Sequence, residues 1–340
     1  MKFSSKGGVH LHTTYSDGTG NIPQIACDAK KAGLDWIVIT DHNNLAGLHN
    51  GEEGWHDGIA VIIGAEISPK NSDHYLALNI KKEIPASLSP EEIINEVKAQ
   101  GGIGFVAHPD ENACRKNSYP PLRWSDWNLR GFDGIEIWNY MSDWGDNYNP
   151  KFNIYNLFAR HQMLKGPTNN VMKWWDELNQ ENNHVVPALG SLDAHAFKVS
   201  FLKVFPYHDT LKTITNYIFH EKELSLDFDE TKKQVLTALK AGNNIIVNRI
   251  WTKGQDKFCF NVISGKQKTI AGGKTSLDDS SELMIKLPQK ARIKLINNGN
   301  TVLEQETEFL EVKGLVPGKY RFEAYFKNKP WIFSNPIICE

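Results

Sequence analysis

Histidines and carboxylates in this chain fall in close pairs beside short apolar runs, and that spacing points to metal chemistry. His10-Leu11-His12 sets two imidazoles two residues apart, and Asp193-Ala194-His195 repeats the arrangement with a carboxylate. On a strand, side chains alternate with period two, so both members of each pair project from one face. Thr40-Asp41-His42 and Ala107-His108-Pro109 close two further apolar runs, and His74 opens another. Of the 12 histidines, six (His10, His12, His42, His74, His108 and His195) thus stand at or beside expected strand ends, accompanied by Asp17, Asp41, Glu66 and Asp193. Imidazole nitrogen and carboxylate oxygen are the donor set for zinc, manganese or iron. A single strand-end histidine is ordinarily a hydrogen-bonding residue of the fold. Two same-face pairs with further strand-end histidines make a metal cluster the better reading.

Such ligands need a scaffold that gathers strand ends in one place. Short apolar runs predict strands at 8–12, 36–41, 59–63, 74–80, 103–107, 134–138 and 185–189, as in a parallel sheet buried on both faces. Helices are expected between several of them. Ser89-Pro90-Glu91-Glu92 reads as an N-cap, a proline at the first turn and a capping glutamate, with a stop at Gly101-Gly102. The segments 23–32 and 229–241 follow the same logic, each ending before a glycine. The alternation predicts an α/β barrel over residues 1–250, whose active site lies at the carboxyl ends of the strands. After Trp251 the pattern changes to alternating apolar and polar residues, punctuated by Asn297-Asn298-Gly299-Asn300 and Pro317-Gly318. Residues 251–340 are therefore expected to form a small antiparallel β-sandwich.

Composition narrows the function. The chain has 340 residues, 40% hydrophobic and 23% charged, with a net charge of -2, so no basic surface for nucleic acid is expected. No apolar run is long enough to span a membrane. Cys27, Cys114, Cys259 and Cys339 are scattered, as in free thiols of a reducing compartment, and a cytoplasmic location is expected. Oligomeric state is left open.

The run His10-Leu11-His12-Thr13-Thr14-Tyr15-Ser16-Asp17-Gly18, followed by Thr40-Asp41-His42-Asn43, resembles the opening of the polymerase and histidinol phosphatase (PHP) family. Gly64-Ala65-Glu66, Ala107-His108-Pro109 and Asp193-Ala194-His195 are similar to its later motifs, so the resemblance covers residues 8 to about 250. Gly134-Ile135-Glu136-Ile137-Trp138-Asn139 and Trp174-Trp175-Asp176 resemble the branch with carbaryl-hydrolase-type metallohydrolases. The resemblance implies a distorted (β/α)7 TIM-like barrel with two to three divalent ions (Zn, Mn or Fe). His10, His12 and Asp193 would hold one ion. Glu66 would bridge it to a second, held also by His74 and His108. Asp17, His42 and His195 would hold the third. His74 differs from the others in opening its predicted strand. The family pattern Gly-Ser-Asp-Ala-His is interrupted here by Leu192, which keeps the Asp-x-His pair and is expected to shift the preceding turn.

The implied activity is that of a phosphoric ester hydrolase acting on a small organic phosphate. Water shared by two ions loses its proton far below its bulk pKa of about 15.7, and the resulting hydroxide attacks in line. Glu66, Asp17 and His195 are the expected catalytic residues, the last two as proton donors to the leaving group. A carboxylic ester or carbamate hydrolase is the alternative, and a non-catalytic metal-binding scaffold is a third. A proofreading nuclease is disfavoured, since no polymerase segment or basic stripe is present. Arg115, Lys116, Lys198 and Arg249 follow motifs or strand ends and are candidates to grip a phosphate. Asp41 either orients a ligand or caps its turn. Glu136 and Asn139 either line the mouth or bond within the fold. Six of the ten tryptophans lie between Trp124 and Trp175, as a lid over substrate or as packing. Protein purified without chelator is expected to carry about two to three equivalents of zinc, manganese or iron by elemental analysis. A metal-free protein that also refuses added metal would contradict the cluster.

Overall fold

A computed structural model describes residues 3–70, 72–112, 121–148, 151, 159–199, 202–252 and 257–340. The first strands are β1 (Phe3–Leu11), β2 (Trp36–His42), β3 (Gly54–His56), β4 (Ile59–Ile67), β5 (Tyr75–Leu78), β6 (Ile103–Val106), β7 (Gly134–Asn139) and β8 (Ala188–Ser191). They are followed by β9 (Lys198–Val199), β10 (Leu202–Lys203), β11 (Ile214–His220) and β12 (Asn244–Asn248). The β-rich remainder comprises β13 (Cys259–Ser264), β14 (Gln267–Ile270), β15 (Lys274–Thr275), β16 (Glu282–Asn297), β17 (Asn300–Lys313), β18 (Gly318–Phe326), β19 (Lys329–Ser334) and β20 (Ile337–Cys339). Among the described residues, all but β9 and β10 join one hydrogen-bonded sheet.

Helices form where their ends are chemically marked. Ile22–Lys31 and Pro90–Ala99 each open on a reciprocal capping box, Asn21 with Gln24 and Ser89 with Glu92. Phe228–Ala241 opens on the Asp227 side chain and closes at Gly242, whose φ of +70° is the left-handed cap. These lie close to the expected 23–32, 90–100 and 229–241. The helix Asn169–Glu181, capped by Thr168, was not anticipated.

The chain is α/β, but its sheet is mixed rather than parallel. β1, β2 and β4 run parallel, as do β6, β7 and β8. Between these groups β5 is antiparallel to both β4 and β6. β11 and β12, absent from the strands expected above, continue the row beyond β1 by antiparallel pairing. The alternation of strand residues separates two apolar layers. On β2 and β4, Val38, Ala60 and Ile62 join one core cluster, while Ile37, Ile39, Val61 and Ile63 join the other with the Ile22–Lys31 helix. Glu66 follows Ala60 and Ile62 at even spacing, so it continues the first of these faces.

The C-terminal strands pair antiparallel apart from β15 with β20, which is parallel and departs from the all-antiparallel expectation. They are not a detached unit. β19 pairs antiparallel with β12, and Tyr217, Ile245 and Val247 share a buried cluster with Trp331, Ile332 and Phe322. Phe333 packs into the cluster of the first strands, 5.5 Å from the Trp138 ring. The flank of β8 away from β7 is satisfied by asparagine side chains instead of a strand. Ala188 N–H donates to Asn335 Oδ1 at 2.7 Å, and Gly190 N–H to Asn216 Oδ1 at 3.1 Å. Asn244 and Asn335 both donate through Nδ2 to Ala188 O, each at 3.1 Å. Three amides fully buried at 0% exposure stand in for a neighbouring strand. Asn335→Ala strands the Ala188 N–H, and about 1–3 kcal/mol of stability is expected to be lost. Denaturant unfolding checks it; an unchanged midpoint would show that the amides contribute nothing to β8.

Candidate metal centre

Every candidate ligand named from the sequence converges on one cleft. Glu66 ends its row with its carboxylate 1% exposed. His10 Nε2 and His12 Nε2 lie 3.3 and 3.4 Å from Glu66 Oε2. His42 Nδ1 is 2.9 Å from the same oxygen. His74 Nδ1 and His108 Nε2 are 2.8 and 3.2 Å from Oε1. Asp193 Oδ1 stands 3.3 Å from His12 Nε2 and 3.6 Å from His10 Nε2. Asp17 Oδ1 is 3.1 Å from His195 Nε2 and 3.6 Å from His42 Nε2.

His74 reaches the cleft because β5 is reversed. The start of an antiparallel strand lies at the same end of the sheet as the close of its neighbours. The backbone also bends to bring ligands inward. His10, His108 and Asp193 have φ of +68°, +28° and +51°, and they form one of the groups whose ligand atoms lie within 4.8 Å of one another. Non-glycine residues in this region cost about 1–3 kcal/mol each and cluster at functional sites. The inserted Leu192 is accommodated in the same way. It is buried, its N–H donates to Val9 O at 3.0 Å, and His12 N–H donates to Ala194 O at 3.0 Å. Residues 192–194 thus run alongside β1.

Surrounding groups orient the ligands. Glu136 Oε1 bonds His10 Nδ1 at 2.8 Å, and its Oε2 accepts the His108 N–H at 2.9 Å and Asn139 Nδ2 at 3.2 Å. Glu136 and Asn139 therefore act within the fold. Asp41 accepts from Thr13 N and Oγ1, both at 2.7 Å, and from Ser16 Oγ at 2.6 Å. It caps the turn that carries Asp17. Gly18 closes that turn where a Cβ would meet His12 O at 2.3 Å. Two groups escaped the sequence reading. The Tyr207 hydroxyl lies 2.8 Å from His12 O and 2.9 Å from His195 O. Buried Glu111 lies 3.6 Å from His108 Nδ1 and accepts from Ser142 Oγ. No motif signals either one.

The other assignments divide. Arg115 and Lys116 fall outside the described residues, as does the Lys198 side chain, whose backbone forms β9. Arg249 does not line the cleft. Antiparallel β11 separates β12 from β1, so the chain leaves β12 away from the ligands. Trp124, Trp138, Trp174 and Trp175 are at most 3% exposed, which makes them packing rather than a lid.

The cleft encloses about 260 Å³, with Leu122, Met141 and Phe197 among its walls, and Phe197 stacks 4.9 Å from the His195 ring. Its electrostatics are those of clustered anions sharing protons. Burial disfavours charge on His108, but Glu66, Glu111 and Asp193 outweigh it and raise its pKa to about 9. Burial, together with the charges of His195 and His10, lowers His12 to about 4. Burial opposes ionisation of Glu66, yet His10 and His74 hold it well below the usual carboxylate range.

Metal ions fit this donor set. Among the described residues, His10 Nε2, His12 Nε2 and Glu66 Oε2 are buried and have no hydrogen-bond partner. Ligand atoms about 3.4 Å apart are the edges of a tetrahedron with bonds of about 2.1 Å, close to the separations above. Four such groups of histidine and carboxylate occur among the described residues, together comprising His10, His12, Asp17, His42, Glu66, His74, His108, Asp193 and His195. Glu136→Gln keeps the shape but removes the charge that orients His10, and about a 10–100-fold loss of metal affinity is expected. Titration against a chromogenic chelator measures it; unchanged affinity in a folded variant would remove Glu136 from that role.

The sequence profile of the PHP domain matches residues 8–125. An uncharacterized protein of Methanocaldococcus jannaschii is 32% identical over 146 residues, covering 39% of this chain and 81% of that protein. A phosphoribosyl 1,2-cyclic phosphate 1,2-diphosphodiesterase of Eggerthella lenta is 31% identical over 84 residues, 23% of this chain and 32% of the relative. A solved two-domain protein of Bacteroides vulgatus, described as containing a predicted PHP-like metal-dependent phosphoesterase, aligns over 98% of this chain and 95% of its own at 14% identity and a TM-score of 0.48. The profile match spans the strands that carry His10, His12, His42, Glu66, His74 and His108, and with the similarity to the Methanocaldococcus protein it establishes that this chain belongs to the PHP-domain family.

Proposed function

We propose that the chain is a metal-dependent phosphoesterase acting on a small organic phosphate ester. Its site lies at the mouth of a PHP-type distorted barrel over residues 1–250, followed by a β-sandwich over 251–340. The observation that carries the reading is the trio of buried, unpartnered ligand atoms on His10, His12 and Glu66. The bonds from Leu192 N–H to Val9 O and from His12 N–H to Ala194 O support a barrel, because they lead the end of β8 back to β1.

His10, His12 and Asp193 would hold one ion, with Glu66 shared with a second at His74 and His108, and Asp17, His42 and His195 would hold a third. Divalent ions there supply a nucleophile from water at neutral pH and offset charge growing on the phosphoryl oxygens. Glu136 keeps the His10 ring turned so that Nε2 faces the cluster. Asp17, its side chain 55% exposed, stands at the rim beside His195; with no ion between them, these two would hold the proton for the departing oxygen. Phe197, Met141 and Leu122 offer an apolar wall to the organic part of the ester.

Turnover of p-nitrophenyl phosphate, bis(p-nitrophenyl) phosphate and p-nitrophenyl acetate tests this. Phosphate ester cleavage is expected, and Asp193→Asn should lower kcat/KM by about a hundredfold or more. Cleavage of the acetate alone would replace this reading with a carboxylic ester or carbamate hydrolase. A metal-loaded protein inert toward all three would point to a scaffold.

A further inference from the structure

Arg249 faces a cavity of about 380 Å³ that contains none of the candidate metal ligands. Its walls include Ala32, His161, Asp209, Lys212, Ile250 and Arg249 itself. The backbone here is firmly held. Arg249 N–H donates to Thr213 O at 3.0 Å, and Asn248 Oδ1 accepts from Ile250 N–H at 3.3 Å. The guanidinium lies over Gly33, where an added Cβ would stand 3.6 Å from Nη2. Its Nη1 is buried and has no hydrogen-bond partner among the described residues.

The charges around it are unbalanced. Among the wall residues, Asp209 is the one carboxylate, and it is already engaged by Arg160 Nη2 at 2.5 Å and His208 Nδ1 at 3.2 Å. Exposed Lys212 has no carboxylate partner among the described residues, and neither has Arg249. Burial and the neighbouring Arg160 lower His161 to about 4, so it is uncharged at neutral pH. Arg249 and exposed Lys212 therefore face one cavity with no carboxylate partner for either among the described residues. A buried guanidinium donor without an acceptor carries a desolvation cost that a bound anion would relieve. The guanidinium fork matches a tetrahedral oxyanion, and a flexible ammonium adds a point charge.

We propose that this cavity is a second site, for a compact phosphate-type dianion, separate from the metal centre. The inference stands whatever bond the metal centre cleaves. It also touches the bracing of that centre, since Asp209 belongs to the short helix Tyr207–Thr210, whose Tyr207 hydroxyl reaches the carbonyl oxygens of His12 and His195.

Binding of inorganic phosphate to the full-length, metal-loaded protein, followed by calorimetry, tests the site. Arg249→Gln is expected to weaken one phosphate-binding event by about tenfold or more while metal content stays at the wild-type level. Lys212→Ala, on an exposed side chain, should weaken the same event, and it decides the matter if Arg249→Gln fails to fold. Asp193→Asn should leave that event in place. Unchanged phosphate affinity in the Arg249 and Lys212 variants, or loss of all phosphate binding in Asp193→Asn, would overturn the proposal. Acetate should compete poorly, and equal affinity for acetate would overturn the assignment to a phosphate-type dianion.

Discussion

A carboxylate taken out of water must be surrounded by compensating charge, and the burial of Glu66 imposes that demand on much of this fold. Removing an isolated ion from solvent costs several kcal/mol even after relaxation. Imidazole nitrogens from His10, His12, His42, His74 and His108 all stand within 3.4 Å of its two oxygens. β1, β2 and β6 must therefore end, and β5 begin, at one level around β4. Register enforces this: His42 pairs directly with Glu66 across β2 and β4. A slip of one residue would turn either group to the opposite face. The apolar rows beneath, such as Val38 with Ala60 and Ile62, hold that register by burying the same alternate positions. Protons or metal cations can complete the neutralisation, and the unpartnered nitrogens of His10 and His12 favour cations.

The residues that converge around Glu66 were readable from the sequence because strand-end histidines recur there with short spacings. The geometry behind them was not. The spacing of His10 and His12 suggests a flat strand with period two, but His10 is turned to φ +68° and the pairing of β1 with β2 shifts between Val9 and Leu11. Both rings still converge, through a bend that composition does not reveal. His74 looked out of place only while β5 was taken as parallel. Strand direction depends on how connections cross the sheet, and a four-residue apolar run carries no record of it.

Polarity misled in the opposite sense. β11 and β12 contain Asn216 and Asn244, and amides in apolar runs lower the expectation of a buried strand. Here the amides are buried because they serve the backbone of β8. Glu111 and Tyr207 were invisible for a related reason. Each acts through distant partners, Ser142 and the carbonyl oxygens of His12 and His195, brought near only by the fold. Arg249 shows the limit of reading a strand end as a site. A cationic residue follows β12, yet two strand pairings carry it away from the metal cleft.

The asparagine bracing of β8 bears on how the protein is made. Synthesis runs from the N-terminus, and domains commonly fold as they leave the ribosome. Every candidate metal ligand has been made once His195 is added, and β12 follows. At that stage β8 still lacks the Asn335 amide, and β12 lacks its partner β19. A nascent chain halted there holds every candidate ligand around an unsatisfied strand and an uncovered apolar face. Assembly of the centre is thus tied to synthesis of β19 and Asn335, and chains terminated before them present to chaperones and proteases a surface that the folded molecule buries.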